Sequence, residues 1–168
     1  MKKIGIMMTG LLLVNCTTTQ VYLVRHAEKG ATPANNPPLT AVGEKRAMDL
    51  AKVLQDKGIQ HVYSTNTLRT RSTAQPFVKQ NALTIQSYST DTLWEMYRYI
   101  TKLPKGNILV VGHSNTILPL LDQFPVNHVK QTIPDSDYDN LFIVSVKKWM
   151  GRVYQFRLKE TTFGEPAE

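Results

Sequence analysis

The stretch that decides the fold is VYLVRHAE, which runs from Val21 to Glu28. Its first four residues are apolar without interruption, a pattern typical of a strand covered on both faces of a parallel sheet. The apolar run ends abruptly at Arg25 and His26. A second run of the same kind, ILVVG over residues 108–112, leads directly into His113. Two predicted buried strands therefore end at a histidine.

Strands and helices alternate along the rest of the chain. Apolar residues at helical spacing predict helices over residues 41–56, 68–80, 91–102 and 115–122. Shorter apolar runs predict strands over residues 21–24, 61–64, 84–88, 108–112, 141–147 and 153–158, the last two forming a hairpin. This alternation predicts a three-layer α/β/α sandwich whose central sheet is mainly parallel and has an antiparallel edge.

The composition is that of an ordinary globular protein. The chain has 168 residues, of which 42% are hydrophobic and 20% charged, and this excludes a disordered or fibrous protein. Its single cysteine excludes an internal disulfide and a zinc site built from cysteines. No cluster of carboxylates or cysteines indicates a metal site, and we expect no cofactor and no nucleic-acid partner.

The first fifteen residues have the pattern of an export signal. Lys2 and Lys3 precede an apolar run from Ile4 to Val14, and Cys16 follows shortly after it. The run is too short to span a bilayer, which needs about 20 apolar residues. A cysteine at this position resembles the lipobox of bacterial lipoproteins, with Asn15 standing where a small residue is usual. We therefore predict that Cys16 is lipidated.

This prediction divides the chain into three parts, which are a signal peptide over residues 1–15, a short tether over 16–20 and a folded domain over 21–168. The domain would be exported and held in the cell envelope by a lipid on Cys16. Two alternatives remain open. Cleavage without lipidation would leave the domain unanchored, and an N-terminal helix could instead bury Cys16 in the core.

Three predicted strand ends carry residues suited to one ligand. Ligands of open parallel sheets bind beyond the carboxyl ends of the strands. Arg25 and His26 follow the first strand, Arg69 follows the second, and His113 follows the strand over 108–112. A guanidinium offers a planar fork of donors that matches phosphate oxygens, and imidazole is a candidate nucleophile. The sequence therefore indicates a cationic pocket for a phosphate dianion.

The same segments carry a family resemblance. Residues 23–28, LVRHAE, look like the Arg-His signature of the histidine phosphatase superfamily, which includes the cofactor-dependent phosphoglycerate mutases. Residues 64–69, followed by Thr73-Ala74, are similar to the second block of that superfamily. Residues 110–114 resemble its third block. The blocks occur in the family's order, and each lies at the end of a predicted strand.

The resemblance implies that the domain is catalytic and assigns a role to each candidate. His26 would be the nucleophile that accepts the phosphoryl group, and Arg25 would flank it. Arg69 and His113 would complete the pocket and hold the phosphoryl oxygens. Neighbouring arginine charges disfavour the protonated form of a histidine, so they would keep the nucleophile neutral. Such a mechanism needs no metal.

The general acid is left open. Many members of the superfamily use a glutamate between the second and third blocks, or an aspartate after the third-block histidine, where this chain has Ser114. Glu95 lies in that interval, and Glu28 is closer to the nucleophile in sequence. Some compact members act without a strong acid on substrates with good leaving groups. Lys29 and Asn36 are further candidates to contact the substrate.

The leading hypothesis is a phosphatase that hydrolyses a phosphomonoester or related phosphate through a phosphohistidine on His26. Its partner would be a phosphorylated small molecule or glycan. One alternative is a phosphomutase of the same superfamily, which would need a substantial lid, whereas only residues 27–38 and 123–138 form long predicted loops. Another is a non-catalytic, lipid-anchored protein that binds anions, although pure binding has no use for a nucleophile.

Overall fold

The computed structural model describes residues 16–103 and 105–167. The elements in chain order are β1 (Cys16–Arg25), α1 (Ala41–Leu54), β2 (Ile59–Ser64), α2 (Leu68–Gln80), β3 (Ile85–Ser87), α3 (Leu93–Lys102), β4 (Asn107–Gly112), α4 (Ser114–Leu121), β5 (Asn140–Trp149) and β6 (Arg152–Thr162). Among these described residues, no helix has the length and apolar character needed to cross a bilayer.

The strands form one sheet in the order β3-β2-β4-β1-β5-β6. Neighbours among β1 to β4 pair in parallel, whereas β5 is antiparallel to β1 and β6 is antiparallel to β5. Helices α1 and α2 pack on one face of the sheet, and α3 and α4 pack on the other. The predicted three-layer sandwich with an antiparallel edge is confirmed.

The apolar run of β1 faces both layers of helices. Val21 and Leu23 belong to the core cluster beneath α3 and α4, while Tyr22 and Val24 belong to the cluster beneath α1 and α2. Successive side chains of a strand point to opposite faces, so a strand covered on both sides must be apolar at every position. The run is therefore continuous rather than alternating.

The first strand is longer than predicted, and this corrects the proposed tether. Residues 16–20 belong to β1 and pair with β5, so that Cys16 lies opposite Trp149. The threonines of this segment suit a strand, and the long hairpin supplies the partner that the local sequence does not reveal. Cys16 is exposed rather than buried in the core. The predicted signal peptide over 1–15 lies outside the described residues.

Other differences concern the ends of elements. Helix α1 ends at Leu54, two residues earlier than predicted, and β2 begins at Ile59 rather than at residue 61. The hairpin is longer than predicted because its strands continue up to a tight turn. Met150 and Gly151 make this turn with φ values of 49° and 78°. Pairing across a turn extends strands beyond the point where their apolar pattern fades.

Candidate active site

The four predicted site residues meet at the carboxyl ends of β1, β2 and β4. The backbone N–H of His26 donates to the carbonyl of Gly112 at 2.9 Å, which continues the β1–β4 ladder by one residue. A cavity of about 760 Å³ opens at this edge of the sheet. Arg25, His26, Arg69 and His113 all line it. The strand order therefore unites residues that are far apart in the sequence.

His26 has a defined tautomer. Its ring is almost fully buried, and Nδ1 lies 2.8 Å from the carbonyl oxygen of Ala27. Because a carbonyl can only accept, Nδ1 carries the proton and Nε2 keeps a free electron pair. The backbone N–H of Ala27 donates to Oγ1 of Thr73 at 2.9 Å, which ties this loop to α2. The geometry leaves Nε2 as the ring nitrogen that could act as a nucleophile.

The pKa of His26 is lowered to about 3. Burial is the largest cause, because the protonated ring loses its hydration. The hydrogen bond to Ala27 raises the pKa in opposition, and the positive charges of Arg25 and Arg69, together with the electrostatic influence of the neighbouring His113, lower it further. His26 is therefore neutral at physiological pH, as a nucleophile must be.

His113 lies edge-on to His26, with 5.3 Å between the ring centroids. Nη2 of Arg69 donates to Nδ1 of His113 at 3.4 Å, so the ring proton is on Nε2, which lies 2.9 Å from Oγ1 of Thr65. Burial, followed by the charge of Arg69, lowers the pKa of His113 to about 4. Both imidazoles are neutral but have opposite tautomers.

The guanidinium groups are short of acceptors. Nε of Arg25 and Nε of Arg69 are both buried without a hydrogen-bond partner. Burial lowers the pKa of Arg69, and the charge of Arg25 lowers it further. Ser114 and Asn115 also line the cavity and begin α4, whose first N–H groups favour a negative charge. An anion with several oxygens would accept hydrogen bonds from these guanidinium and backbone donors.

Arg25 contacts a segment for which the sequence carried no motif, residues 134–138. Nη1 of Arg25 donates to the carbonyls of Pro134 and Asp137, and its guanidinium lies 4.5 Å from the centre of the Tyr138 ring. Nη2 donates to Oδ1 of Asp135 at 3.0 Å, and this side chain is 91% exposed. The irregular, polar character of the segment was the one available signal. Asp135 thus occupies part of the fork that could bind phosphate.

The two glutamates considered as general acids do not line the cavity. Oε1 of Glu28 accepts from Nε and Nη2 of Arg46, both at 2.7 Å, in a pair that is largely buried. Glu95 lies in the first turn of α3 and lines a separate cavity beside Tyr63. Asp135 is the acidic residue among those that line the active-site cavity. Among the described residues, no three His, Cys, Asp or Glu side chains form a group able to hold a metal.

Lys29 and Asn36 have different positions. Lys29 lines the cavity, where its charge also contributes to the low pKa of His113. Oδ1 of Asn36 accepts from the backbone N–H of Leu68 at 2.8 Å and so satisfies an unpaired donor at the start of α2. Asn36 therefore supports the helix that carries Arg69.

Comparison with known sequences agrees with the resemblance. Residues 21–98 match the model of the histidine phosphatase superfamily (branch 1). The chain is 44% identical over 62 residues to a protein named "Probable phosphoglycerate mutase GpmB" from Escherichia coli (strain K12 / DH10B). That match covers 33% of this chain and 29% of the relative, so under a third of the curated relative is represented.

Solved structures of other proteins share the fold of most of this chain. The protein histidine phosphatase SixA complexed with tungstate superposes with a TM-score of 0.66 at 16% identity, covering 86% of this chain and 97% of SixA. A mycobacterial glucosyl-3-phosphoglycerate phosphatase superposes with a TM-score of 0.64 at 12% identity, covering 85% and 98%. The predicted resemblance is confirmed, by sequence over residues 21–98 and by fold over the larger part of the chain.

The low pKa values predict an unusual titration of the histidines. We expect His26 and His113 to stay neutral as the pH falls to about 5. His128 should titrate above the usual imidazole range, because its hydrogen bond with Asp122 raises its pKa. NMR titration of the ring Cε1–H signals measures this, with His26→Asn and His113→Asn variants for assignment.

The same shifts predict a loss of stability in acid. Between about pH 4 and pH 6.5 the unfolded chain binds protons at these two imidazoles and the folded chain does not, so stability falls as the pH falls through this range. Denaturant unfolding at a series of pH values measures the trend. Ordinary titration of His26 and His113 near pH 6.5 would contradict the assigned environment.

Removing the charge of Asp135 should strengthen the binding of anions. Asp135→Asn keeps the shape of the side chain and an acceptor for Arg25, but it removes a competing negative charge from the cavity. We expect tungstate to bind only about two- to fivefold more tightly, since the Asp135 carboxylate is largely exposed and its charge is screened by solvent. Calorimetry measures the affinity, and Asp91→Asn, outside the cavity, is the control. Unchanged tungstate affinity with a large loss of kcat would identify Asp135 as a proton donor instead.

Proposed function

We propose that this chain, whose residues 21–98 carry the sequence of the histidine phosphatase superfamily, is a phosphatase that acts through a phosphohistidine on His26. The observation that carries the proposal is the neutral His26 ring, with Nδ1 held by a carbonyl and Nε2 free in a cavity lined by two guanidiniums. An anion-binding protein needs the guanidiniums but has no need of this nucleophile.

In the first step, Nε2 of His26 attacks the phosphorus of a phosphate monoester. A bond forms between Nε2 and phosphorus, and the ester P–O bond breaks with its electron pair on the leaving oxygen. This oxygen takes a proton from water, and the resulting hydroxide is later neutralised by a proton of the released dihydrogen phosphate. Nδ1 keeps its proton, so the phosphorylated ring is cationic, and the carbonyl of Ala27 stabilises that charge. Arg25 and Arg69 stabilise the charge on the transferred oxygens.

In the second step, water attacks the phosphorus. The N–P bond breaks, its electron pair returns to Nε2, and dihydrogen phosphate leaves with both protons of the water. The cationic ring is a better leaving group than a neutral one, because it departs as neutral imidazole. The hydrogen bond between Nδ1 and Ala27 therefore serves both steps.

The carboxylates around the cavity indicate the class of leaving group. Glu28 is held by Arg46, Glu95 lines another cavity, and Asp135 is paired with Arg25. None is placed as a protonated acid for a poor leaving group. We infer that the enzyme acts best on phosphorylated small molecules whose leaving group departs with little protonation.

The competing function is a phosphomutase, because the curated relative is named as one. A mutase must keep water from the phosphohistidine until the phosphoryl group has been returned to a substrate. The cavity here is open, and its outer wall includes the exposed side chain of Asp135. This access for water favours hydrolysis.

Two substitutions test the mechanism. His26→Ala should abolish turnover of an aryl phosphate in EDTA yet keep tungstate binding, because the guanidiniums remain. Arg69→Lys keeps the charge but loses the planar fork, and kcat should fall about 10²- to 10³-fold.

Rapid quenching of the wild type at mildly alkaline pH should trap an acid-labile, base-stable phosphate on His26. His61→Ala and Arg71→Lys, on residues outside the cavity, are the matched controls.

Other outcomes identify the alternatives. Near-normal turnover by His26→Ala would exclude the phosphohistidine mechanism, and activity that requires a divalent ion would indicate metal-dependent hydrolysis. Transfer of the phosphoryl group to an acceptor, with little inorganic phosphate released, would identify a mutase. Tungstate binding by a wild type without turnover on any phosphate would identify a binding protein.

We also propose that the protein is exported and anchored in the cell envelope by a lipid on Cys16. The observations in support are the basic and apolar residues 2–14 ahead of Cys16 and the exposure of this cysteine at the start of β1. Cleavage before Cys16 would leave the whole described sheet in the mature protein.

Partitioning tests the anchor. Cys16→Ser, expressed in a bacterial host, should move the protein from the detergent phase to the aqueous phase, since the acyl chains are lost. Thr17→Ser is the control, because it changes the neighbouring residue of the same strand and should leave partitioning unchanged. Equal partitioning of Cys16→Ser and the wild type would show that the anchor is absent.

A further inference from the structure

An exposed apolar cluster lies at the end of the sheet opposite the active site, where β1 begins. At the tip of the β5–β6 hairpin, Trp149, Met150 and Tyr154 are 51%, 67% and 60% exposed. Cys16 is also exposed and pairs directly with Trp149 in the β1–β5 ladder. We call these four residues the hairpin surface. It lies at the amino end of β1, whereas the active site lies at the carboxyl end.

Basic residues surround the hairpin surface. Nζ of Lys148 donates to the carbonyls of Leu103 and Ile100, which holds the end of α3 against the hairpin. This contact brings two segments together, residues 101–103 and 105–107 with the exposed Lys102 and Lys105, and residues 145–153 with the exposed Arg152 and the half-buried Lys147, while Lys148 itself is buried. Neither segment contains an acidic residue. Farther along the same edge, Asp56 and Lys57 before β2 balance one another in charge.

We propose that the hairpin surface rests on the lipid bilayer. Trp and Tyr favour the bilayer interface, an apolar Met side chain enters it, and lysine and arginine attract anionic headgroups. The choice of a bilayer over a protein partner rests partly on the proposed anchor, because a lipid on Cys16 would lie beside Trp149, its partner in the β1–β5 ladder. No tether separates Cys16 from β1, so an anchored domain has its hairpin at the membrane.

This placement orients the active site. β1 runs from Cys16 to Arg25, and a strand rises about 3.3 Å per residue, so the two ends are roughly 30 Å apart. The cavity therefore opens on the side of the domain away from the bilayer that holds it. Its substrate would come from the surrounding solution or from a structure that stands above the membrane, not from lipid headgroups beside the anchor.

The two tryptophans provide a matched test. Trp94 is exposed in the first turn of α3, at the carboxyl edge of the sheet, and Trp149 is at the amino edge. The full chain is bound to vesicles of phosphatidylcholine and phosphatidylglycerol whose acyl chains are brominated. In Trp94→Phe, the remaining Trp149 should show quenching and a blue shift. In Trp149→Phe, the remaining Trp94 should show neither.

A second pair of variants tests the cluster itself. Met150→Glu, made in the Trp94→Phe chain, should reduce the quenching of Trp149, because a charge replaces an inserted side chain. Val129→Glu is the control, since Val129 is 89% exposed but lies near Glu160, away from the hairpin tip. Both variants add one negative charge to an exposed apolar position.

Three outcomes would overturn the proposal. Equal quenching of both tryptophans would show that the domain has no preferred orientation on the bilayer. Vesicle binding without quenching of Trp149 would show that the hairpin surface does not contact the bilayer. It would indicate instead that this surface binds a protein partner or a second copy of the chain. A full chain that stays in solution would exclude the hairpin surface as a membrane contact, and the anchor is tested separately by the partitioning of Cys16→Ser. None of these results depends on phosphatase activity, so they do not bear on the proposed reaction.

Discussion

The pairing of β1 with β4 is the constraint on which the active site depends. It runs from Val21 opposite Ile108 to Arg25 opposite Gly112, and the bond from His26 N–H to the Gly112 carbonyl adds the last step. Because the two strands are parallel, both of their loops leave at the same edge, and each carries one imidazole. A Cβ on Gly112 would lie 2.5 Å from the hydroxyls of Thr116 and Tyr88, so a larger residue there would push the end of β4 away from its neighbours.

The second constraint is the density of positive charge among the buried side chains at the base of the open cavity. Burial and neighbouring cations keep both imidazoles neutral, and the same burial leaves guanidinium donors without partners. The fold compensates Arg25 mainly with the backbone carbonyls of residues 134 and 137, which accept hydrogen bonds without neutralising its charge. Among the residues that the structure describes, the carboxylate paired with Arg25 is that of Asp135, on an exposed side chain. The charge that would attract phosphate is therefore held in place but not cancelled.

The fold and the four central residues of the site were predictable because both depend on local signals. A continuous apolar run identifies a covered strand, and polar residues directly after it identify a strand end, so β1 with His26 and β4 with His113 could be located from the sequence. The segment over 134–138 could not, because its contacts with Arg25 come from an irregular loop without periodicity. The extension of β1 back to Cys16 was also hidden, since it depends on β5, more than a hundred residues later in the chain.

That separation has a consequence for how the protein folds. β1 is the first of the described elements to be synthesised, yet its neighbours in the sheet are β4 and β5, which begin at residues 107 and 140. Contacts between distant parts of a chain form slowly, because long loops must close before any pairing stabilises them. During synthesis the central strand stays unpaired until most of the chain has left the ribosome. A late-closing sheet of this kind keeps the chain unfolded for longer during synthesis.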